Sequence, residues 1–129
     1  MAKAEAFDPK TTFVDLAPSG ARAIPVTEGF WPDLISGRLK LKGRLVSAYE
    51  MHDFPHWERH PAGEELIVVL SGAIDFILEE PGGERVVSVA KGQAFLIPTN
   101  VWHRGVVRSP GEALFVTEGA GTEHKPIEA

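Results

Sequence analysis

Ionisable residues cluster just ahead of an apolar run in the stretch HWERHPAGEELIVVLSG, which spans residues 56–72. Glu58, His60 and Glu65 stand before or at the start of LIVVL, which is predicted to be buried. Charged groups at the mouth of a core strand are costly unless something pairs with them, and a metal ion is such a partner. His103 repeats the placement of His60, because it too follows an apolar run and a turn.

Two imidazoles and two carboxylates form a mixed nitrogen and oxygen donor set. Such a set suits manganese, iron, nickel, cobalt or zinc, and it disfavours copper(I), which prefers sulfur. An octahedral ion with four protein ligands keeps two positions open for water or substrate, which marks a catalytic rather than a structural metal. We therefore predict a divalent metal bound by Glu58, His60, Glu65 and His103, with its identity open.

Each of these residues also has a plainer interpretation. Glu58 could be a solvated carboxylate paired with Arg59 or Arg44, and a lone histidine is more often structural than a ligand. His56 is predicted as a general base beside the site, although a surface role is the stronger alternative for it. His124 lies in GAGTEHKP near the C-terminus, where the glycines indicate a tail or a flap.

Strand geometry is expected to bring the candidate ligands together. Side chains two apart on a strand share a face, so Glu58 and His60 should point the same way. A hairpin through the following Pro-Ala-Gly turn is predicted to place Glu65 beside them. Trp57 and Trp102 each precede a candidate ligand, so they should face away from the cavity and pack between sheets or subunits.

Short strands separated by turns account for most of the chain. From Leu39 onward, segments of about six residues alternate apolar and polar positions or run apolar, with turn residues between them, as in a sandwich or barrel. No segment shows a sustained helical period. The predicted organisation is an irregular N-terminal arm over residues 1–38, a barrel over 39–118 and a C-terminal tail over 119–129.

The composition is that of one soluble domain. The chain has 129 residues, 43% hydrophobic and 24% charged, with a net charge of −5. The chain has no basic cluster, which argues against nucleic acid and a polybasic membrane contact as partners, and no stretch is long enough to span a bilayer. The absence of cysteine excludes disulfides and a thiol nucleophile, and a cytoplasmic location is the default expectation.

The stretch resembles the first motif of the cupin superfamily, in which His-x-His is followed by three or four residues, a glutamate, six residues and a glycine. His60 precedes Glu65 by four intervening residues, and six more separate Glu65 from Gly72. The first histidine of the motif is Glu58 in this chain.

The second cupin motif is matched further along the chain. The motif has a glycine, five residues, Pro-x-Gly, two residues and a histidine, with a later asparagine. Gly92, Pro98 and His103 fit this spacing. Asn100 stands in place of the glycine after the proline, and Val107 in place of the asparagine.

The resemblance implies a small single-domain cupin, an all-β jelly-roll barrel or double-stranded β-helix, and a homodimer. Cupins bind a divalent metal through two histidines, the glutamate and the later histidine, so His60, Glu65 and His103 match as ligands and Glu58 is a substitution able to ligate. The implied function is a metal-dependent enzyme, a dioxygenase or isomerase, acting on a small organic molecule. A non-catalytic small-molecule-binding or sensor cupin, with or without metal, is the alternative.

Overall fold

The computed structural model describes residues 4–128 as eleven strands and one short helix. The elements in chain order are β1 (Thr12–Ala17), β2 (Gly20–Pro25), α1 (Phe30–Ser36), β3 (Arg44–Glu50), β4 (His56–Arg59), β5 (Glu65–Val69), β6 (Ala73–Glu80), β7 (Gly83–Ala90), β8 (Ala94–Ile97), β9 (His103–Ser109), β10 (Glu112–Thr117) and β11 (Glu123–Pro126). The predicted all-β fold is confirmed. In this part of the chain no helix is long and apolar enough to cross a membrane.

Two antiparallel sheets face each other. One has six strands in the order β2-β1-β3-β10-β5-β8, and the other has five in the order β11-β4-β9-β6-β7. Neighbours that are distant in sequence show that the chain crosses repeatedly between the sheets, as in a jelly roll. Each sheet therefore buries one face against the other.

Alternation along the strands fills the space between the sheets. In β6, Ile74, Phe76 and Leu78 are buried, as the period of two predicts. Ile67 and Val69 of β5 meet Ile74 and Phe76 from the opposite sheet in one hydrophobic core. Glu65 shares the inward face of β5 with Ile67 and Val69, so its carboxylate is directed into the molecule.

Left-handed backbone occurs at the motif positions that carry glycine or asparagine. Gly72 has φ 76° in the connection from β5 to β6, and a Cβ there would lie 2.4 Å from the carbonyl oxygen of Ser109. Asn100, which replaces the second-motif glycine, has φ 61°. Asparagine tolerates this conformation better than other side-chain-bearing residues, so the turn before His103 is preserved.

The N-terminal region packs on the barrel through a second, smaller core. β1 and β2 extend the six-stranded sheet at its edge, and α1 places Phe30 in edge contact with Phe13 at 5.0 Å. The helix was not expected, because seven residues are too few to establish a helical period in the sequence. Gly37, with φ 83°, ends it.

The C-terminal segment expected to be a tail contains a strand. β11 pairs antiparallel with β4 at the edge of the five-stranded sheet, with His124 opposite Glu58. The strand lies outside the predicted barrel of residues 39–118 and could not be recognised from GAGTEHKP, which has no apolar alternation. Residues 1–3 of the predicted arm and residue 129 of the predicted tail lie outside the described part of the chain.

Candidate metal centre

The four candidate ligands come from both sheets. Glu58 lies in β4, His60 follows it, and His103 is the first residue of β9, all in the five-stranded sheet or at its end. Glu58 and His103 are directly paired across β4 and β9. Glu65 is the first residue of β5, in the six-stranded sheet. The site therefore lies between the two layers at one end of the sandwich.

The predicted hairpin between Glu58 and Glu65 is wrong. In the described structure β4 pairs with β9 and β11, whereas β5 pairs with β10 and β8. The Pro-Ala-Gly turn passes the chain from one sheet to the other, so Glu65 approaches its partners from the opposite sheet. The closeness of Glu65 to Glu58 and His60 was predicted correctly, but it arises from the packing of the two sheets and not from strand pairing.

The four side chains converge on one point. One ligand atom from each of Glu58, His60, Glu65 and His103 lies within 4.8 Å of the others. Nε2 of His60 is 3.3 Å from Oε1 of Glu58 and 3.5 Å from Oε1 of Glu65. Nε2 of His103 is 3.4 Å and 3.6 Å from the same two oxygens. Ligands at right angles around an ion at about 2.1 Å would be roughly 3 Å apart, so the group could close on a metal with small movements.

Three of these atoms are buried and have no hydrogen-bond partner within residues 4–128: Nε2 of His60, Nε2 of His103 and Oε1 of Glu65. His60 and Glu65 are 5% and 4% exposed, and His103 is inaccessible. An unpartnered buried polar atom costs about 1–3 kcal/mol, so three that point at one spot indicate a missing common partner. The residues present fit a metal ion.

Hydrogen bonds on the far side of the rings orient the ligands. Nδ1 of His103 donates to the carbonyl oxygen of Val101 at 2.9 Å. Nδ1 of His60 lies 2.9 Å from Oγ1 of Thr122, whose own proton is donated to the carbonyl of Gly119. Both Nδ1 atoms must then carry the proton, which leaves the Nε2 lone pairs facing the centre. This is the tautomer a metal requires.

Glu65 is oriented in the same way. The hydroxyl of Thr117 donates a short hydrogen bond to Oε2 of Glu65. The other oxygen of this carboxylate is thereby left to face the two histidines. Thr117 is on β10, the strand next to β5, and the two residues are directly paired.

Charge coupling within the group shifts every pKa in it. Burial opposes the imidazolium form, but the carboxylates of Glu58 and Glu65 outweigh burial and raise the pKa of His60 and of His103 to about 9. Burial likewise opposes the charged carboxylates, yet both histidines together hold the pKa of Glu58 and of Glu65 below the usual range. Protons and a metal ion therefore compete for the same Nε2 atoms.

His56 and His124 form an outer layer beside Glu58. Nε2 of His124 is 3.4 Å from Oε2 of Glu58, and its side chain is 53% exposed. The ring of His56 is 5.9 Å from the ring of His124 and is exposed to solvent. His56, predicted as a general base, thus lies near the opening of the site and is not within the group of four.

Aromatic residues border the group toward the barrel interior. The ring of Phe54 is 6.2 Å from that of His103, and Tyr49 stacks on Phe115 at 4.8 Å. Burial, followed by the charges of Glu65 and Glu58, raises the pKa of Tyr49, which keeps it neutral.

A surface concavity of about 460 Å³ lies elsewhere, at Leu16–Pro18 and Lys42–Arg44, and none of the four candidate ligands lines it.

A family model described as a cupin domain matches residues 46–118, more than half of the chain. The chain belongs to the cupin family. The resemblance of the two motifs is thereby confirmed. No curated protein matches the sequence.

Solved cupin structures share the fold at low identity. A cupin-2 domain protein from Shewanella frigidimarina has a TM-score of 0.50 and 14% identity. The match covers 67% of this chain and 76% of that protein. An oxalate oxidase bound to glycolate has a TM-score of 0.52 and 17% identity, with coverage of 63% and 45%. A mutant of Bacillus subtilis oxalate decarboxylase has a TM-score of 0.51 and 15% identity, with coverage of 65% and 23%. The chain spans less than half of each of the two enzymes.

Two residues that support the candidate ligands were not anticipated, Thr117 and Thr122, and His124 was expected only as part of a tail or a flap. Thr117 could have been suspected, because it follows the apolar run EALFV on a predicted strand. Thr122 and His124 carry no such signal, since the segment that holds them is positioned by the pairing of β11 with β4. Their roles depend on the tertiary structure.

Proposed function

We propose that this cupin binds one divalent metal ion through Glu58, His60, Glu65 and His103 and acts as a metal-dependent enzyme, a dioxygenase or isomerase, on a small organic molecule. The observation that carries the proposal is the convergence of three buried, unpartnered ligand atoms on one point beside the carboxylate of Glu58. An ion there would satisfy all three at once.

Charge balance supports a divalent ion. Two carboxylates and two neutral imidazoles carry a charge of about −2, which one divalent cation neutralises in a buried setting. The nitrogen and oxygen donors favour manganese, iron, cobalt, nickel or zinc. When bound, the metal would supply Lewis-acid or oxygen-binding chemistry at its open positions.

The surrounding residues suit turnover of a small molecule. The Glu58 side chain is 22% exposed while the other three ligands are nearly inaccessible, so substrate would approach from the Glu58 side. His124 and His56 border this opening and could hold or move a proton there. Tyr49 and Phe54 would present aromatic surface to an organic ligand and exclude water.

The solved structures that share the fold support an enzymatic role, but they do not indicate a substrate. Two of them are named as an oxalate oxidase and an oxalate decarboxylase, which are enzymes. At 15–17% identity the likeness carries the fold and not the substrate. The substrate class proposed for this chain therefore stays at a small organic molecule.

A metal-free binding barrel is the second candidate. It is favoured by the contacts of 3.3–3.6 Å between the Nε2 atoms and the carboxylates, since protonated histidines could pair with both acids. These distances exceed the 2.7–2.9 Å typical of charge-assisted hydrogen bonds, which is why the metal is the stronger proposal.

Elemental analysis of the purified protein separates the two. We expect about one metal per chain in the wild type and little in His60→Ala or His103→Ala, because each variant removes one of four ligands. His52→Ala is the matched control, since His52 is exposed and lies outside the group. A wild type that stays metal-free after incubation with manganese, iron, cobalt, nickel and zinc would sink the metalloenzyme proposal.

A further inference from the structure

Strands β4 and β11 bring a second group of metal-binding side chains together outside the buried four. His124 is paired directly with Glu58 across these strands, and His56 lies two residues before Glu58 on β4. Residues two apart on a strand share a face, and so do directly paired residues of neighbouring strands. We call His56, Glu58 and His124, which therefore lie on one face of the sheet, the outer triad.

The alternate residues of the same two strands lie on the opposite face. Nζ of Lys125 is 5.6 Å from the ring centre of Trp57 and 2.9 Å from the carboxylate of Glu79. By contrast, the ion pairs that Glu58 forms within residues 4–128 are all with histidines. In this part of the chain no lysine or arginine pairs with the Glu58 carboxylate, so it remains free to bind cations.

The carboxylate of Glu58 presents one oxygen to each group. Its Oε1 is 3.3 Å from Nε2 of His60 and 3.4 Å from Nε2 of His103, whereas its Oε2 is 3.4 Å from Nε2 of His124. A charge-assisted hydrogen bond would be about 2.7–2.9 Å long, so the contact with His124 is too long for one. Because each carboxylate oxygen has its own lone pairs, Glu58 can bind a separate cation through each oxygen.

The two outer imidazoles are spaced almost as the two buried ones are. The ring centroids of His60 and His103 are 5.3 Å apart, and those of His56 and His124 are 5.9 Å apart. Both outer histidines are exposed, and exposed side chains change rotamer readily. Small rotations of these two rings therefore suffice to direct both toward one ion beside Oε2 of Glu58.

We propose that the outer triad binds a second divalent cation, of the zinc type, and that Glu58 bridges it to the buried metal. Two imidazole nitrogens and one carboxylate oxygen are the donors of zinc sites with three protein ligands, whose fourth position holds water or another exchangeable ligand. The inference rests on the proposed function only for the bridge, because His56 and His124 are not among the four candidate ligands of the buried metal.

The outer ion should bind more weakly than the buried one. The outer triad is open to solvent at both histidines, it shares the charge of Glu58 with the buried ion, and the two cations repel each other. We expect a dissociation constant larger by about tenfold or more. Dialysis during purification should then remove the outer ion, and an excess of zinc is needed to load it.

Zinc titration of chelator-treated protein against a chromogenic chelator counts the ions and separates their affinities. We expect the wild type to bind about two zinc ions per chain in two phases. His56→Ala and His124→Ala should each lose the weaker phase and keep the tighter one, because each variant removes one of three outer ligands. His52→Ala is the matched control and should keep both phases, since His52 is exposed and lies outside both groups.

His60→Ala distinguishes failure of the outer triad from failure of the buried site. It should lose the tighter phase and keep the weaker one. A single zinc ion that is lost in His60→Ala and retained in His124→Ala would overturn the outer triad, and the reverse pattern would support the triad while overturning the buried site. A single ion weakened in both variants would make His124 a ligand of the buried metal, and a second ion that survives in both His56→Ala and His124→Ala would bind elsewhere. Either result would overturn the inference, and a wild type that binds no zinc would overturn both proposals.

Discussion

At the scale of single residues, Glu58 is where this chain departs most from the cupin pattern. A carboxylate in place of the first motif histidine keeps a donor at the same position and adds a negative charge. Its Oε1 is within 3.3–3.4 Å of both histidine Nε2 atoms, and its Oε2 faces His124. The substitution thus preserves a four-donor site while shifting it toward harder ions.

Two substitutions of Glu58 distinguish the effect of its negative charge from its role as a metal ligand. We expect Glu58→Gln to lower metal affinity at least tenfold, because a neutral amide is a weaker ligand and leaves the site with one carboxylate. Glu58→His should retain about one metal per chain, since it restores a strong donor. Competition titration with a fluorescent chelator measures both.

Glu64→Gln is the matched control, because it removes an equal charge from an exposed neighbouring position. If Glu58→Gln bound metal as tightly as Glu64→Gln, Glu58 would not be a ligand, and a three-residue site would replace the proposed one.

At the scale of elements, the segment that leads into β11 supports the site from outside the cupin core. Thr122 accepts the hydrogen bond of His60 Nδ1, and His124 on β11 lies against Glu58. One short segment therefore contacts two of the four candidate ligands. Its strand pairing with β4 is what holds it there.

Removing the Thr122 hydroxyl should weaken metal binding without unfolding the protein. We expect Thr122→Val to lower metal affinity by roughly 10- to 100-fold, the range seen when a hydrogen-bond partner of a metal ligand is lost. Thr122→Ser keeps the hydroxyl and should bind as the wild type does. The measurement is the same competition titration, with the thermal midpoint recorded alongside.

A contrary result would be equal metal affinity in Thr122→Val and Thr122→Ser. The orientation of His60 would then come from packing alone. A loss of folding in Thr122→Val is not expected, because the residue lies at the surface end of the barrel and is partly exposed.

At the scale of the whole molecule, the buried acid and histidine group links stability to pH. The pKa of Glu58 is lowered from 4.5, so its contribution to stability is present above pH 4.5 and is lost as pH falls further. The pKa values of His60 and His103 are raised from 6.5 to about 9, so their contribution is complete below pH 6.5 and is lost as pH rises through about 9.

Chelator-treated protein should therefore be most stable between pH 4.5 and 6.5 and should lose stability by pH 9. Urea denaturation across this range measures the free energy of unfolding. With excess metal the trend should reverse, because deprotonation frees the Nε2 atoms to bind. The same free energy of unfolding at pH 6.5 and pH 9 without metal would contradict the predicted coupling.

Much of the fold and part of the site could be read from local patterns. The alternation in AIDFILEE predicted an inward face at Ile74, Phe76 and Leu78, and that face is buried. The motif spacing selected His60, Glu65 and His103. Glu65 begins β5, which ends at a turn that contains Gly72, and His103 begins β9 just after a turn that contains Asn100. Both patterns extend over only a few residues, so they can be recognised without knowing which strands pair.

Other features were decided by contacts between residues far apart in the sequence. The approach of Glu65 from the opposite sheet, the docking of β11 on β4 and the helix at Phe30–Ser36 all depend on such contacts. The alternation, the turns and the donor types are properties of short stretches of sequence. Which strands are neighbours follows from the folded chain, because strand pairing is stabilised by packing between residues far apart in the sequence, which a local period does not reveal.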